Sequence, residues 1–224
     1  MLSRSSRGSG TRFDLHCTRC ARLVNYLRAT KQAHPKYHCR PVSGFGAGKP
    51  RLLVVGLAPG LHGANATGRP FTGDAAGQLL YASLHKFGFA NQPISTDRSD
   101  QLRLSACRIT NAVKCVPPQN KPSALEVRTC NPYLKAEIAA VRTPGVVLAL
   151  GRIAHEAVLL ASGRRRTGFP FRHGTWHELG DGLSLCDSYH TSQYNIHTKR
   201  LTAKMFHDVV AAVRQRLDKG HAGR

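Results

Sequence analysis

The stretch VVGLAPGLHGANATGRPFTGDAAGQLL, from Val54 to Leu80, joins an apolar run to an apolar helical pattern through a long loop rich in glycine and proline. The apolar run predicts a buried strand, and the pattern after Gly77 predicts a helix. No Lys-Ser/Thr pair follows the glycines, and their spacing is not that of a dinucleotide fingerprint. The stretch therefore predicts a strand, a loop and a helix that use no nucleotide cofactor.

Further strand and helix patterns alternate around this unit. Apolar runs predict strands at 51–57, 107–115, 145–151 and 183–190. Helical patterns cover 77–88, 123–141, 152–163 and 201–217. This alternation predicts an α/β sandwich with a mostly parallel sheet. Ligands of such sheets bind at the carboxyl ends of the strands, so the candidate site lies in the polar loops at 58–76, 114–122 and 190–198.

The helix predicted over 123–141 has a clear start and an unusual middle. Ser123 and Glu126 have the spacing of a capping box. Pro132 lies inside the pattern, and proline cannot donate a backbone hydrogen bond there, so we expect a break or a kink. A shorter helix-like pattern, ARLVNYLRAT, follows Cys20.

The charge of the chain predicts a polyanionic partner. Lys and Arg total 33 against 12 Asp and Glu, which gives a formal net charge of +21. DNA is the commonest partner for such an excess, and a basic protein without a nucleic-acid role is the alternative. No apolar run reaches the ~20 residues that span a bilayer, and MLSRSSRGSGTRF lacks a signal-peptide core. We expect no membrane partner, a monomer, and a cytoplasmic, nucleoid-associated location, with a disordered basic tail over 1–12 and another tail over 219–224.

Seven cysteines occur in the chain, and four of them have the spacing of metal ligands. Cys17 and Cys20 form Cys-x2-Cys, and Cys115 and Cys130 form Cys-x14-Cys. Two such pairs can complete four ligands, and spacing alone does not separate zinc from an iron–sulfur cluster. The other three are expected to be packing residues: Cys39, Cys107 and Cys186.

Three ordered motifs, together with the four spaced cysteines, resemble the family-5, or B-type, iron–sulfur uracil-DNA glycosylases. The motifs are GLAPGLHGANATGRPFTGDAAG, TNAVKCVPPQNKP and SYHTSQYNIHT, and the resemblance runs from about Phe13 to Leu217. It implies one domain over 13–218, a three-layer α/β/α sandwich around a short, mostly parallel, four-stranded sheet. It also implies a structural [4Fe–4S] cluster on the four cysteines, and excision of uracil from DNA that leaves an abasic site.

The resemblance suggests which residues bind the flipped base. An enzyme that cuts a base from its sugar must first take that base out of the stack. Phe71 is expected to stack on the uracil face, and Asn111 to read its edge, because an amide offers both a donor and an acceptor. A loop anchor packed on the core is the alternative for Phe71, and a structural asparagine that caps the strand end is the alternative for Asn111. Gly56, His62 and Asn65 are also assigned to substrate binding, with support of the long loop or of a phosphate as the alternative for His62 and Asn65.

Three residues are expected to carry the chemistry. His190 is placed to donate a hydrogen bond to the base oxygen as negative charge develops on the leaving group. Relatives carry an acid in the first turn of the long loop, where this chain has Leu57 and Ala58. Asp74 is therefore the candidate carboxylate that orients water, with Asn120 as a helper. An Asp that only caps the following helix is the alternative.

Polar and basic residues after His190 and in GRRRTG (163–168) are expected to contact DNA. Tyr194 falls where relatives insert a side chain into the minor groove, and Thr191 stands where they normally carry proline, which predicts a looser loop and weaker activity on duplex. The remaining phosphate contacts are assigned to Ser192, Lys199, Arg200, Arg164 and Arg165. A non-catalytic, metal-stabilised DNA-binding protein on the same fold is the alternative function.

Overall fold

A computed structural model describes residues 13–219 of the chain, so the tail predicted over 1–12, and all but the first residue of the tail predicted over 219–224, lie outside the described residues. Lys219, assigned to the second tail, is the last residue of a helix. The helices of this part are α1 Ala21–Ala33, α2 Ala64–Thr67, α3 Ala75–Lys86, α4 Ala124–Ala139, α5 Arg152–Ala161, α6 Gln193–His197 and α7 Ala203–Lys219. The strands are β1 Phe45–Gly46, β2 Leu52–Gly56, β3 Cys107–Asn111, β4 Gly145–Leu150, β5 Trp176–Gly180 and β6 Leu183–Ser188.

One mixed sheet forms the middle of the fold, in the strand order β1-β3-β2-β4-β6-β5. Its four central strands are parallel and are the four that the apolar runs predict. The edge strands β1 and β5 are antiparallel to their neighbours, so the described sheet has six strands rather than four. The two extra strands lack an apolar run, because β1 has only two residues and β5 reads WHELG.

Helices cover both faces of this sheet, and the side chains of β2 alternate between the two cores. Leu52 and Val54 pack with α3 and α7, whereas Leu53 and Val55 pack with α4 and α5. This alternation follows from the two-residue period of a strand. The predicted three-layer α/β/α sandwich is confirmed. A third, smaller core joins α1 to α4 and to the segment that follows β3.

Helix α4 begins as predicted, because Ser123 and Glu126 form both hydrogen bonds of the capping box. Of the break or kink predicted at Pro132, the break does not occur, since a single helix continues through it to Ala139. Buried residues hold the turn on each side of the proline, and the Asn131 side chain donates to the backbone oxygen of Ala157 at 2.9 Å. Packing against α5 therefore outweighs the local loss of one backbone hydrogen bond.

The topology brings the carboxyl ends of the four parallel strands to one edge of the sheet. Because β2 ends at Gly56 and β3 at Asn111, the loops that follow them lie side by side, with the segment after β6 close by. This is the edge at which α/β sheets bind ligands. No helix within residues 13–219 combines the length and the apolar character needed to cross a membrane.

Candidate active site

A cavity of about 460 Å³ opens at the carboxyl ends of the parallel strands. It brings together residues from all three loops that the sequence singles out. The lining includes six of the predicted site residues: Phe71, Asp74, Asn111, Asn120, His190 and Ser192. Gln193 and Ala58 also line it, and sequence reasoning assigned neither of them a role.

Phe71 holds one wall of the cavity in an unusual conformation. Its φ is +55°, in the left-handed region that bulky residues rarely adopt, and its side chain is buried. The ring lies 5.8 Å from the ring of His190, at an interplanar angle of 28°. Strain of this kind persists where the surrounding structure imposes it, which is common at ligand sites.

Gly56 makes the close approach of Phe71 and Asn111 possible. A Cβ atom at Gly56 would lie 2.5 Å from the Phe71 ring and about as close to Asn111 Oδ1. Any larger residue would have to displace both side chains. The glycine therefore acts on the shape of the cavity through its missing side chain.

Asn111 presents a buried oxygen that has no partner. Its side chain is only 3% exposed, and Oδ1 accepts no hydrogen bond within the described structure. Buried polar atoms are paired in most proteins, so each exception requires an explanation. Because this atom belongs to a residue that lines the cavity, it suits an N–H donor on a bound ligand.

Asp74 caps α3 and also lines the cavity. Its Oδ1 accepts from the backbone N–H of Gly77 at 3.2 Å. Oδ2 faces Gly60 and Gly63, where the absence of side chains leaves it room. Burial raises the pKa of this carboxyl above its ordinary value, although backbone N–H groups of Gly77 and Ala76 oppose the shift.

His190 stands at the end of the segment that leaves β6, opposite Phe71. Burial lowers the pKa of its imidazole to about 4, so the ring is neutral at physiological pH. A neutral ring still offers one N–H donor. The Asn195 side chain donates to the backbone oxygen of His190 at 2.8 Å and fixes this part of the loop.

Thr191 restrains the same loop. It is fully buried, and its hydroxyl donates to the backbone oxygen of Ala76 at 2.8 Å, in the first turn of α3. The predicted looser loop rested on the missing proline ring. A side-chain hydrogen bond supplies a tether at this position instead.

Asn120 reaches the cavity from a short 3-10 helix, Pro118–Asn120. Gln119 and Asn120 both have left-handed φ values, of +55° and +56°. Asparagine tolerates this conformation better than most residues. The backbone here turns sharply toward the cavity before α4 begins.

His62 and Asn65 do not line the cavity, although sequence reasoning assigned them to substrate binding. His62 is exposed and its Nδ1 lies 2.9 Å from the hydroxyl of Tyr37. Asn65 is fully buried and its side chain donates to the backbone oxygen of Leu61 and to the sulfur of Cys39. These are the contacts of residues that support the long loop.

The segment beyond His190 presents the residues predicted to contact DNA. Ser192 caps α6 through its hydroxyl, which accepts from the N–H of Asn195. Tyr194 is 72% exposed on the same helix. The guanidinium of Arg200 lies 4.8 Å from the ring centre of Tyr189, and Lys199 is exposed with a φ of +55°.

A second cavity, of about 270 Å³, adjoins His190. Arg152, Arg172 and Arg200 contribute to its lining, beside the aromatic ring of Tyr189. The first two were missed by sequence reasoning. The sequence position of Arg152 indicates a place at this edge of the sheet, because the residue follows the carboxyl end of β4 after a single glycine.

Arg164 and Arg165 lie elsewhere. They line a groove against α4 and α5 that shares no lining residue with either cavity at the catalytic edge. The side chain of Arg164 donates to the backbone oxygen of Leu179. The structure therefore separates these two arginines from the other residues predicted to contact DNA.

The four cysteines predicted to bind a metal line one small cavity between α1, α4 and the end of the β3 segment: Cys17, Cys20, Cys115 and Cys130. The backbone N–H of Lys114 donates to the sulfur of Cys130 at 3.3 Å. Burial raises the pKa of the Cys130 thiol to about 11, and also raises that of Cys115. The other three cysteines are buried in apolar cores, as expected of packing residues.

A second group of potential ligand atoms lies elsewhere. Within residues 13–219, ligand atoms of His155, His177 and Asp187 lie within 4.8 Å of one another. Nδ1 of His155 lies 2.8 Å from Asp187 Oδ1, and its Nε2 lies 2.9 Å from the backbone oxygen of Phe169. Nε2 of His177 lies 3.3 Å from Asp187 Oδ2. Hydrogen bonds between these side chains already pair both carboxylate oxygens.

Comparison with known proteins places this arrangement in a family. A sequence model of the uracil DNA glycosylase superfamily matches residues 43–214. A type-5 uracil-DNA glycosylase of Thermus thermophilus is 45% identical over 199 residues, which cover 87% of this chain and 90% of that protein. Proteins of the same description from Mycobacterium bovis and Pyrobaculum aerophilum are 44% and 42% identical, over 86% and 88% of this chain and 75% and 87% of those proteins. The chain belongs to the uracil-DNA glycosylase superfamily, in its type-5 group.

Proposed function

We propose that the protein is a monofunctional uracil-DNA glycosylase, which hydrolyses the N-glycosidic bond of a uracil flipped out of DNA and leaves an abasic site. The observation that carries this proposal is the cavity at the carboxyl edge of the sheet. Phe71, Asn111, His190 and Asp74 line the same space, and they contribute an aromatic ring, an amide with an unpaired oxygen, a neutral imidazole and a buried carboxylate. The descriptions of the type-5 relatives support the same activity.

Binding of the base uses Phe71 and Asn111. The Phe71 ring stacks on one face of the flipped pyrimidine. Oδ1 of Asn111 accepts from the N–H on the edge of uracil, which gives this oxygen the partner that it lacks. Because Gly56 has no side chain, Phe71 and Asn111 can both keep these positions. Bases that lack an N–H at this position leave Asn111 unpaired and bind less well.

Cleavage sends the electron pair of the glycosidic bond onto the base, and His190 stabilises the resulting anion. Because its pKa is about 4, the imidazole donates a hydrogen bond from its neutral form. The donor is already in place before charge develops, so little reorganisation is needed in the transition state.

Asp74 orients the water that attacks the sugar carbon. The carboxylate accepts a proton from this water as the new C–O bond forms, and its negative charge stabilises the oxocarbenium-like sugar. A raised pKa makes Asp74 a stronger base than an ordinary exposed Asp. The side-chain amide of Asn120, which faces the same cavity, is a second group that can hold this water.

DNA is held by the segment beyond His190. The exposed side chain of Tyr194 fills the gap that the flipped base leaves in the stack. Ser192, Lys199 and Arg200 contact phosphates of the strand that carries uracil. The formal charge of +21 favours this partner, and we place the protein, as a monomer, with the DNA of the cytoplasm.

The four cysteines at the α1 end of the fold are proposed to hold a [4Fe–4S] cluster. All four line one small cavity, and together they supply the four thiolates that such a cluster needs. The N–H of Lys114 adds a hydrogen bond to one ligand sulfur. When bound, the cluster would serve as a structural cross-link between the segment before α1, the segment after β3 and α4. Iron and sulfide analysis of purified protein tests this, and one zinc per chain would contradict it.

A labelled oligonucleotide with a single deoxyuridine, single-stranded or opposite guanine, tests the activity. We expect strand breaks at the uracil position only after hot alkali, and none in a matched oligonucleotide with thymine. Breaks without alkali would indicate a lyase activity and contradict monofunctional hydrolysis. Folded protein that binds this DNA and releases no uracil would instead support the non-catalytic DNA-binding alternative.

A further inference from the structure

The largest cavity described above is unrelated to the catalytic edge. It is a groove of about 550 Å³ on the outer face of α4 and α5, closed on one side by the basic loop at 163–168. Sequence reasoning assigned this loop to DNA. The groove shares no lining residue with the uracil cavity or with the arginine-lined cavity beside His190.

The floor of this groove is apolar and open to solvent. Ile153 and Leu160 lie seven residues apart on α5, and therefore on the same face of the helix. They are 39% and 46% exposed, and Val127 of α4 lies in the same lining. Neighbouring apolar side chains that remain exposed within a concave surface indicate a contact site.

The rim of the groove is basic. Arg166 is paired with Glu156 at 3.1 Å, which neutralises the acidic side chain of the lining. Arg128 and Arg165 are exposed, and within residues 13–219 neither side chain has a hydrogen bond or an ion pair. Two unpaired guanidinium groups therefore border the apolar floor, one contributed by α4 and the other by the basic loop.

We propose that this groove binds an acidic peptide segment that carries apolar side chains and belongs to another protein. Its carboxylates would pair with Arg128 and Arg165, and its apolar side chains would cover Ile153 and Leu160. A DNA backbone would satisfy the arginines but leave the apolar floor exposed. Because the groove is separate from the uracil cavity, a partner can bind there while DNA occupies the catalytic edge.

Fluorescence anisotropy with a labelled synthetic peptide tests the proposal. In this peptide acidic residues alternate with leucine and phenylalanine, and in a control peptide serine replaces every apolar residue. We expect the double variant R128E/R165E to weaken peptide binding by about tenfold or more, since two charge pairs are lost and two like-charge contacts replace them. Leu160→Ser should weaken it by about fivefold, since less apolar surface is buried. The serine peptide should bind about tenfold more weakly to the native protein.

The double variant K49E/R103E is the matched control, because it changes the charge equally at exposed residues outside the groove. We expect its peptide affinity to stay within about twofold of the native value. All substituted residues are exposed, and melting curves check that each variant is folded. Uracil release is measured separately for each variant, and the proposal is judged on peptide affinity, which keeps this test independent of the proposed activity.

Several results would overturn the proposal. Equal losses in the two double variants would indicate binding by net charge alone. Equal binding of the serine peptide would exclude a role for the apolar floor. Weaker binding of uracil-free duplex by R128E/R165E than by K49E/R103E, with peptide binding unchanged, would assign the groove to DNA. An absence of peptide binding by the native protein would leave the groove without this ligand.

Discussion

Two groups of buried polar side chains meet near the end of β6, and their hydrogen bonds are satisfied to different degrees. Asp187 is fully buried in the strand, yet both of its oxygens and both nitrogens of His155 have partners. His190 follows three residues later and faces a cavity in which Asn111 Oδ1 has none. The same short segment of chain thus contributes to a fully hydrogen-bonded group around Asp187 and to the cavity beside His190, where hydrogen bonding is incomplete.

Residues of the cavity beside His190 have other energetically unfavourable features. Phe71 has a left-handed backbone, and the pKa of Asp74 is raised because its carboxylate is poorly solvated. Such features reduce the stability of the folded state unless a ligand compensates for them. Burial alone therefore does not identify a functional polar group, and the fully paired group around Asp187 stabilises the fold. A missing partner is informative only at a residue that lines the cavity, because Asn65 Oδ1 also lacks a partner and Asn65 lies outside it.

Asp74→Asn should produce the largest effect, which is on catalysis. The amide cannot accept a proton from water, so the rate of uracil release should fall about 10³-fold. Asparagine still caps α3. A raised pKa in the folded state gives stability below the unfolded pKa that is lost as pH rises through the folded pKa. The variant should therefore melt at or above the native temperature at neutral pH and converge with the native protein in acid.

Single-turnover assays at saturating enzyme, together with melting curves, measure both effects of Asp74→Asn. DNA affinity serves as the control and should remain within about twofold of the native value, since Asp74 contacts no phosphate in this proposal. A variant that still releases uracil at the native rate would remove Asp74 from the mechanism.

Asp187→Ala should act on stability instead. It leaves His155 and His177 buried without their carboxylate, and loss of one partner of a buried pair destabilises by about 3 kcal/mol or more. Asp208→Ala is the matched control, because Asp208 forms an exposed ion pair with Lys204 worth about 0.5 kcal/mol. Urea unfolding distinguishes them. If both variants unfold at the same urea concentration, the paired network does not stabilise the fold as the comparison requires.

The sequence predicts the central fold well because the central strands are buried on both faces. Their apolar runs identify β2, β3, β4 and β6, and the alternation with helices gives the layers. The apolar pattern does not identify edge strand β5, because its buried residue His177 is polar. The burial of His177 depends on its hydrogen bond with Asp187, ten residues away. Pro132 misleads for a related reason. Tertiary packing holds a helix that local propensity would break.

The site follows from the motifs more than from physical patterns. Phe71, Asp74, Asn111 and His190 meet in one cavity as the resemblance implies. Spacing cannot show that His62 and Asn65 turn away from it, since both lie in the same loop as Phe71. The partnership of His155 with Asp187 joins residues 32 positions apart and leaves no local pattern in the sequence.

Asn111→Leu tests the same difference between an unpaired and a paired group, here with two buried asparagines. Removal of an unpaired amide should leave stability unchanged or raise it, while kcat/KM for uracil release falls about 10²-fold, because base recognition loses its hydrogen bond. Asn131→Leu is the matched control, since Asn131 is buried but paired with the backbone of Ala157. This control should lose about 1–3 kcal/mol of stability and keep native kinetics per folded molecule. Lower stability in Asn111→Leu than in Asn131→Leu would contradict the difference drawn between the two sites.

The pH dependence of uracil release tests which buried group limits activity in acid, and its effect is the smallest. Asp74 must be ionised to accept a proton, and its pKa is raised, so activity should fall about tenfold per pH unit once pH drops below that raised value. His190 stays neutral until pH approaches about 4 and therefore contributes no loss above it. Profiles of kcat/KM for native protein and Asp74→Asn separate the two. The residual activity of the variant should be flat across the range in which native activity declines. If the variant loses activity in acid as the native protein does, a group other than Asp74 titrates in that range. The buried carboxylate of Asp74 would then not cause the pH dependence of uracil release.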